Sequence, residues 1–243
     1  LLRRHPAVEV VAETESPTGK PRHAYDGPAL GLREGVAELH WDSWPRIDDA
    51  IASYEIFREL REAGTIPAGL RFQVCLPFPS SAMNALEADF AKDYPIAAEA
   101  YQELVTRELG RLTDAIPAED LPIQWDVCYE VLDIEGVIAW TSDDAWERFS
   151  GPVGRLAQEI PEDVAIGYHL CYGTFPDWPM YEARDMELIV RMANHAVHNS
   201  GRRVDWLHLA GPRYLRSEDD RFFRPLADLD VGDARVYLGI VLP

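Results

Sequence analysis

The chain has 243 residues, of which 47% are hydrophobic and 27% charged, so it has enough apolar material for one sizeable core. Its 23 basic and 42 acidic residues give a formal net charge of −19. Such a surface repels phosphate backbones and anionic lipids, which argues against nucleic acid and membrane surfaces as partners and favours a small molecule. Three scattered cysteines and the lack of a long apolar run in the sequence favour a cytoplasmic protein. Nothing in the sequence predicts the oligomeric state.

The order of predicted elements begins irregularly and then alternates. Residues 1–35 contain turn-forming residues without periodicity and are predicted to be a loop or the tail of an upstream element. From residue 36 onward, short apolar runs alternate with helical periodicity. The sequence predicts strands at 36–41, 70–77, 121–128, 164–171, 204–210 and 235–242, and helices at 46–63, 95–115, 144–160, 182–199 and 219–229. The third helix is expected to break at Gly151-Pro152.

This alternation predicts right-handed βαβ units around a parallel sheet, either doubly wound or closed as a (β/α)8 (TIM) barrel. The placement of polar residues favours the barrel. In 164–171, the bulky residues Ile166, Tyr168 and Leu170 share one parity, whereas small and reactive residues share the other. Polar residues at the carboxyl ends of parallel strands are typical of a barrel active site. We therefore predict one α/β barrel domain over 36–243, incomplete in this chain, with about six strands and truncated at both ends.

Three residues carry the strongest chemical signals. His169 and Cys171 stand two residues apart on a predicted strand, so imidazole and thiol share one face, and both are good zinc ligands. The alternative is that both are ordinary core residues. Asp126 lies inside a strand expected to be buried, where a carboxylate needs a partner, a substrate ammonium group or a metal. Its structural alternative is an ion pair with an arginine such as Arg71.

Other polar residues are expected to converge on the same mouth as Asp126 and His169, the predicted catalytic residues. Substrate binding is assigned to Gln73, Gln124, Glu130, Tyr172 and His208. For His208, a place in the core is an equal alternative. Five aromatic residues just beyond the strand ends are candidates for the wall of the pocket, with ordinary packing as the alternative: Tyr129, Tyr172, Phe175, Trp178 and Tyr214.

Three segments carry a family resemblance: RFQVCLP at 71–77, IQWD at 123–126 followed by Glu130, and HLCYG at 169–173. In this order and near these separations they resemble the catalytic barrel of the cobalamin-independent methionine synthase family. The resemblance covers most of residues 50–243. The family shares its general fold with uroporphyrinogen decarboxylase, so the resemblance also implies a (β/α)8 barrel.

The resemblance implies a methyltransferase of the 5-methyltetrahydropteroyltriglutamate–homocysteine type. Zinc binds the thiol substrate and lowers its pKa, and the thiolate takes a methyl group from a folate-type donor without cobalamin. His169 and Cys171 match the first two zinc ligands, and Asp126 matches the acid that holds the amino group of an amino-acid thiol. The family's third ligand, a glutamate, falls at Ala210 here. Its fourth, a cysteine, lies on a later strand that this sequence does not include.

The residues leave two other functions open. One is a metal-free enzyme in which Asp126 and His169 act as acid and base, as in a decarboxylase- or demethylase-like reaction on an acidic or aromatic small molecule. The other is a barrel that binds a ligand without turnover, which the alanine at position 210 favours.

Overall fold

The structure, a computed structural model, describes residues 1–12, 28–87, 89–138, 143–173, 182–212 and 220–240. Its strands are β1 (Val8–Ala12), β2 (Ala29–Leu32), β3 (Val74–Pro77), β4 (Ile123–Val127), β5 (Ile166–Leu170), β6 (Trp206–Ala210) and β7 (Arg235–Gly239). Its α-helices are α1 (Pro45–Glu62), α2 (Pro79–Ala82), α3 (Phe90–Ala115), α4 (Tyr129–Ile134), α5 (Ala145–Gln158) and α6 (Glu187–Asn199). Short 3-10 segments lie at Leu2–Arg4 and Asp220–Asp228. None of the helices within these ranges is long and apolar enough to cross a membrane.

Strands β3 to β7 form a five-stranded sheet in which all neighbouring strands are parallel. Each strand lies beside the strand that follows it along the chain, so the order does not reverse as it does in a doubly wound sheet. The predicted α/β fold with a parallel sheet is therefore confirmed. The carboxyl ends of all five strands lie at the same edge of the sheet.

The two faces of this sheet differ in chemistry. On β5, Ile166, Tyr168 and Leu170 are fully buried, and the Tyr168 hydroxyl lies 3.1 Å from the hydroxyl of Ser200 at the end of α6. His169 points to the opposite face and is only half-buried. The alternation predicted for this strand is confirmed. We call the face of the sheet that carries Gln124, Asp126, His169 and His208 the polar face.

Helix α3 fixes the carboxyl end of the first strand of this sheet. Its apolar stripe is buried, with Tyr101, Val105 and Leu112 shielded from solvent. The Tyr101 hydroxyl donates a hydrogen bond of 2.6 Å to the carbonyl of Pro77, the last residue of β3. Asp89 caps the helix by accepting from the backbone N–H of Lys92, so the helix begins five residues before the predicted position 95.

The first 41 residues depart from the sequence prediction. Strands β1 and β2 pair antiparallel where a loop or tail was expected, and Leu30 forms a bridge with Leu86. All four residues of β2 are buried, so this strand lacks the alternation that would have revealed it. The predicted strand at 36–41 is not a strand, although Leu39 and Trp41 pack into the core.

The break predicted within the helix at 144–160 is also wrong. Helix α5 continues through Gly151 and Pro152, and the proline ring is buried. Because proline has no N–H, the helix loses one backbone hydrogen bond there, to the carbonyl of Arg148. Burial of the Pro152 ring against the core offsets that loss, so packing decides the outcome rather than local propensity. The predicted strand at 235–242 ends at Gly239, and its last two residues lie outside the described ranges.

Candidate functional site

Four side chains form a row across the polar face, near the carboxyl ends of the strands. Asp126 on β4 is in register with His169 on β5, His169 with His208 on β6, and His208 with Tyr237 on β7. Neighbouring strands are about 4.8 Å apart, so adjacent members of the row are within contact distance. The structure thus brings together three predicted site residues, Asp126, His169 and His208. Of the two places considered for His208, the structure shows the polar face and not the core.

The two histidines of this row are in direct contact. Their Nδ1 atoms lie 2.8 Å apart and their rings are stacked, with centroids 4.7 Å apart. Burial lowers the pKa of His169, but the Cys171 thiolate and Asp126 oppose it and the net shift is upward. Burial and the charge of His169 lower the pKa of His208. One Nδ1 must donate and the other accept, and the opposite directions of the two pKa shifts favour His169 as the donor and His208 as the acceptor.

Cys171 lies one step beyond this row, at the end of β5, and is buried. Its sulfur interacts with the thiol of Cys128 and with His169, and the backbone N–H of Gly173 donates to it. Gly173 has φ +79°, a conformation that favours glycine, and this turn brings its N–H back toward the sulfur. The bond from Cys128 lowers the pKa of Cys171 well below the usual thiol value, with His169 adding to it against the opposing effect of burial. The arrangement stabilises a thiolate beside an imidazolium.

Among the residues that the structure describes, Asp126 is held by an amide and not by an arginine. Gln124 Nε2 donates to its Oδ1 at 2.9 Å. Arg71 donates instead to the backbone carbonyls of Glu119 and Ala118, so the alternative of an Asp126–Arg71 ion pair is wrong. Burial raises the pKa of Asp126, although the hydrogen bond from Gln124 opposes this shift. A partly buried carboxylate with spare acceptor capacity is available to a substrate.

The two predicted glutamines, Gln73 and Gln124, lie beside the remaining cysteine, Cys75. Gln73 and Gln124 place their amide Nε2 atoms 3.3 Å and 3.5 Å from the sulfur of Cys75. Arg46, at the start of α1, donates to the carbonyl of Cys75 at 3.4 Å, and its positive charge acts to lower the pKa of Asp126. Sequence reasoning missed Arg46, because no local motif shows that a helix near residue 46 reaches the edge of β3.

Glu130 is not part of this row. Both of its carboxylate oxygens are occupied by Ser81, which donates its backbone N–H at 3.0 Å and its hydroxyl at 2.6 Å. The same Ser81 hydroxyl accepts from the backbone N–H groups of Cys128 and Tyr129. Complete burial raises the pKa of Glu130 to about 7. The structure thus places Glu130 in the first turn of α4, where its bonds to Ser81 join α4 to α2, and not at the substrate mouth where it was predicted.

The predicted aromatic wall is described only in part. Tyr172 is buried, with 2% of its surface exposed, and Tyr129 is half-buried. The other predicted wall residues, Phe175, Trp178 and Tyr214, lie outside the described residues.

The described side chains do not complete the zinc site that the family resemblance implies. Catalytic zinc is usually held by three protein ligands. Within the described ranges, no group of three or more His, Cys, Asp or Glu residues is arranged to hold a metal ion. His169 and Cys171 are adjacent, but the Nδ1 of His208 faces His169 instead, and Ala210 ends β6 without a donor atom.

The contact between Cys128 and Cys171 is a feature that sequence reasoning missed. The sequence contained the pattern that predicts this contact. Cys128 stands two residues after Asp126, and Cys171 stands two residues after His169. Once these two residues are in register on adjacent parallel strands, the cysteines that follow them are neighbours.

Comparisons with known proteins give little further information. No protein-family model matches the chain, and no curated protein matches it. Among solved structures, the chain is similar to a mutant of morphinone reductase in complex with tetrahydroNAD, with 12% sequence identity and a TM-score of 0.37. The match covers 95% of this chain and 56% of the reductase chain, so the chain spans about half the length of that protein. A likeness this low supports no conclusion about function.

Proposed function

We propose that the chain is an enzyme with a (β/α)8-barrel architecture that transfers a methyl group to or from a small thiol or another small nucleophile. The observation that carries this proposal is the cluster of Asp126, His169, Cys171 and His208 at the carboxyl ends of adjacent parallel strands. The sequential order of five parallel strands supports the barrel, and active sites of barrels lie at this end.

The proposed reaction uses the chain's own side chains. The Cys171 sulfur accepts the proton of the incoming nucleophile, and the imidazolium of His169 stabilises the anion that results. That anion attacks the methyl carbon of the donor. One bond to the methyl group forms as the donor's bond to it breaks, and the proton passes from Cys171 to the donor's leaving atom. Asp126 is placed to hold a positively charged group of the substrate.

Zinc has no step in this proposal, because the described residues do not provide the third ligand. The family resemblance still predicts it, and metal analysis of the purified chain is the direct check. We expect a chelator to remove any bound metal and to leave the rate of methyl transfer unchanged. Loss of activity on chelation, with recovery on addition of zinc alone, would contradict it.

The proposal is tested by incubating the chain with a panel of small thiols and methyl donors, and detecting methylated thiols by mass spectrometry. His169→Ala and Cys171→Ser are each expected to reduce product formation by at least about 100-fold, within the range that general acid–base catalysis contributes. The matched control is His198→Ala, an exposed histidine on α6 that pairs with Asp230, and it should leave the rate unchanged. Binding of the panel compounds without any product would favour a ligand-binding barrel instead.

A further inference from the structure

A cavity of about 850 Å³ lies on the polar face, on the amino-terminal side of the histidine pair. This volume is within the range of small-molecule sites. His208 and Tyr237 line its upper end, and Gln124, Trp206 and Arg235 lie two residues lower on their strands. Arg71 and Arg203, which precede β3 and β6, line its base. The cavity therefore opens directly onto the site proposed for group transfer.

The lower part of the cavity, formed by Arg71, Arg203 and Arg235, is positively charged in a chain whose net charge is −19. Arg203 is neutralised by Asp205, which is itself held by the backbone N–H of Ile166. Arg235 is exposed, and none of the described residues forms an ion pair or hydrogen bond with its side chain. Within the described part of the chain, Arg71 donates only to neutral carbonyls, so Arg71 and Arg235 face one remaining lining carboxylate, Asp233. A guanidinium group without a carboxylate partner favours an anionic ligand.

The middle of the cavity provides a flat aromatic surface. A Cβ atom at Gly167 would lie 2.1 Å from the indole of Trp206, so the ring rests directly on the backbone of β5. Its Nε1 donates to Gln124 Oε1 at 3.3 Å, which fixes the ring in this position. Trp206 is also in register with Arg235 on the neighbouring strand. A planar group stacked on this indole would have its acid group beside the guanidinium.

The register sets the length of the ligand. His208 and Tyr237 lie two residues beyond Trp206 and Arg235, which is about 7 Å along the strand at about 3.3 Å per residue. One six-membered ring with a substituent opposite its acid group spans this interval. The substituent then lies beside His208, whose Nδ1 is 2.8 Å from that of His169.

We infer that this cavity binds a single-ring aromatic carboxylate, with its acid group on Arg235, its ring on Trp206 and its opposite substituent facing the histidine pair. The role of this ligand as donor or acceptor of the methyl group rests on the proposed function. The binding itself depends on the cavity alone.

Isothermal titration of the full chain with three probes tests the inference. Benzoate has the ring and the charge, benzamide has the ring without the charge, and cyclohexanecarboxylate has the charge without the planar ring. We expect benzoate to bind at least tenfold more tightly than either of the others. Arg235→Gln should weaken benzoate at least tenfold and leave benzamide within twofold. Arg224→Gln, which changes an exposed arginine paired with Asp220 outside the cavity, is the matched control and should change neither.

Two further variants test the aromatic surface. Gly167→Ala should displace the indole and weaken benzoate, and Trp206→Leu should do the same without adding bulk to β5. Equal affinities for benzoate and benzamide, or an Arg235→Gln variant that binds benzoate normally, would overturn the inference. If the chain prefers benzoate but no methyl transfer is found, the proposed function fails and the cavity assignment stands. If methyl transfer is found without a preference for benzoate, only the cavity assignment fails.

Discussion

Trp125 and Asp126 are consecutive residues of β4 with opposite surroundings. The indole of Trp125 is fully buried and lies edge-on to Phe78, with ring centroids 6.0 Å apart. Asp126 is on the polar face, bonded to Gln124 and in register with His169. Because side chains alternate along a strand, one face of the sheet stabilises the fold while the other is free to carry reactive groups. Substitutions on the two faces should therefore affect different measurements.

The largest expected effect is on stability. Trp125→Ala should lower the free energy of unfolding by about 3–5 kcal/mol, because it leaves a cavity in the core. Asp126→Asn keeps an acceptor for Gln124 and removes a buried charge, so it should change the same quantity by less than about 1 kcal/mol. Urea denaturation followed by circular dichroism measures both. A loss of stability in Asp126→Asn as large as that in Trp125→Ala would show that the two faces are not separable.

Glu130 gives the next effect, which depends on pH. Its pKa is about 7 in the folded chain against a usual 4.5, so the folded state holds the proton longer than the unfolded state. Stability from this group is complete below pH 4.5 and is lost as the pH rises toward and through 7. Since the two pKa values differ by about 2.5 units and one unit is worth about 1.4 kcal/mol, the full loss is about 3.5 kcal/mol.

Glu130→Gln removes this titration and is the variant that checks it. Its free energy of unfolding relative to the native chain should rise by about 2–3 kcal/mol between about pH 5 and about pH 8, measured by urea denaturation at both values. Glu135→Gln changes a nearby acid at the C-terminal end of α4 and is the control. A pH-independent difference between Glu130→Gln and the native chain would contradict the role of burial in raising this pKa.

Predictions from the sequence succeeded where the two-residue period is visible. The parity of 164–171 located Tyr168 and His169 on opposite faces, and all five strands of the parallel sheet were predicted within four residues at each end. Strand β2 was missed because all its residues are buried, and 36–41 was predicted wrongly because its apolar residues pack without a strand partner. The local hydrophobic pattern predicts which residues are buried, but it does not predict which segments pair as strands.

The candidate site was predictable along single strands and not between them. The spacing of His169 and Cys171 was readable, and so was the buried carboxylate of Asp126. Other contacts join residues that are 29 to 49 positions apart in the sequence. They are the hydrogen bonds between Ser81 and Glu130, the hydrogen bond from Arg46 to Cys75 and the packing of Trp206 on Gly167. These contacts follow from tertiary packing, which the local sequence does not specify.

Cys171 and Cys75 both lie on the polar face, and we expect their thiols to differ in reactivity. Cys171 interacts with Cys128 and His169 and has a lowered pKa, whereas burial raises the pKa of Cys75. The pH midpoint of iodoacetamide alkylation, followed for each cysteine by mass spectrometry of peptides, should therefore be lower for Cys171. At about pH 6.5 the thiolate fraction should be at least about tenfold greater at Cys171 than at Cys75. His169→Ala should raise the Cys171 midpoint and leave that of Cys75 in place, and equal midpoints in the native chain would contradict the proposed thiolate.

The smallest expected effect is a shift in one histidine titration, and it links the two residues that open the row. By proton NMR, His169 should titrate above 6.5 and His208 below it. Because the charge of Asp126 raises the pKa of His169, Asp126→Asn should lower that pKa. His195 on α6 lies outside the row, and burial lowers its pKa, so it should titrate identically in both proteins. An unchanged His169 would mean that Asp126 acts on the substrate alone, and a fall would mean that the carboxylate also keeps the imidazole charged for the transfer.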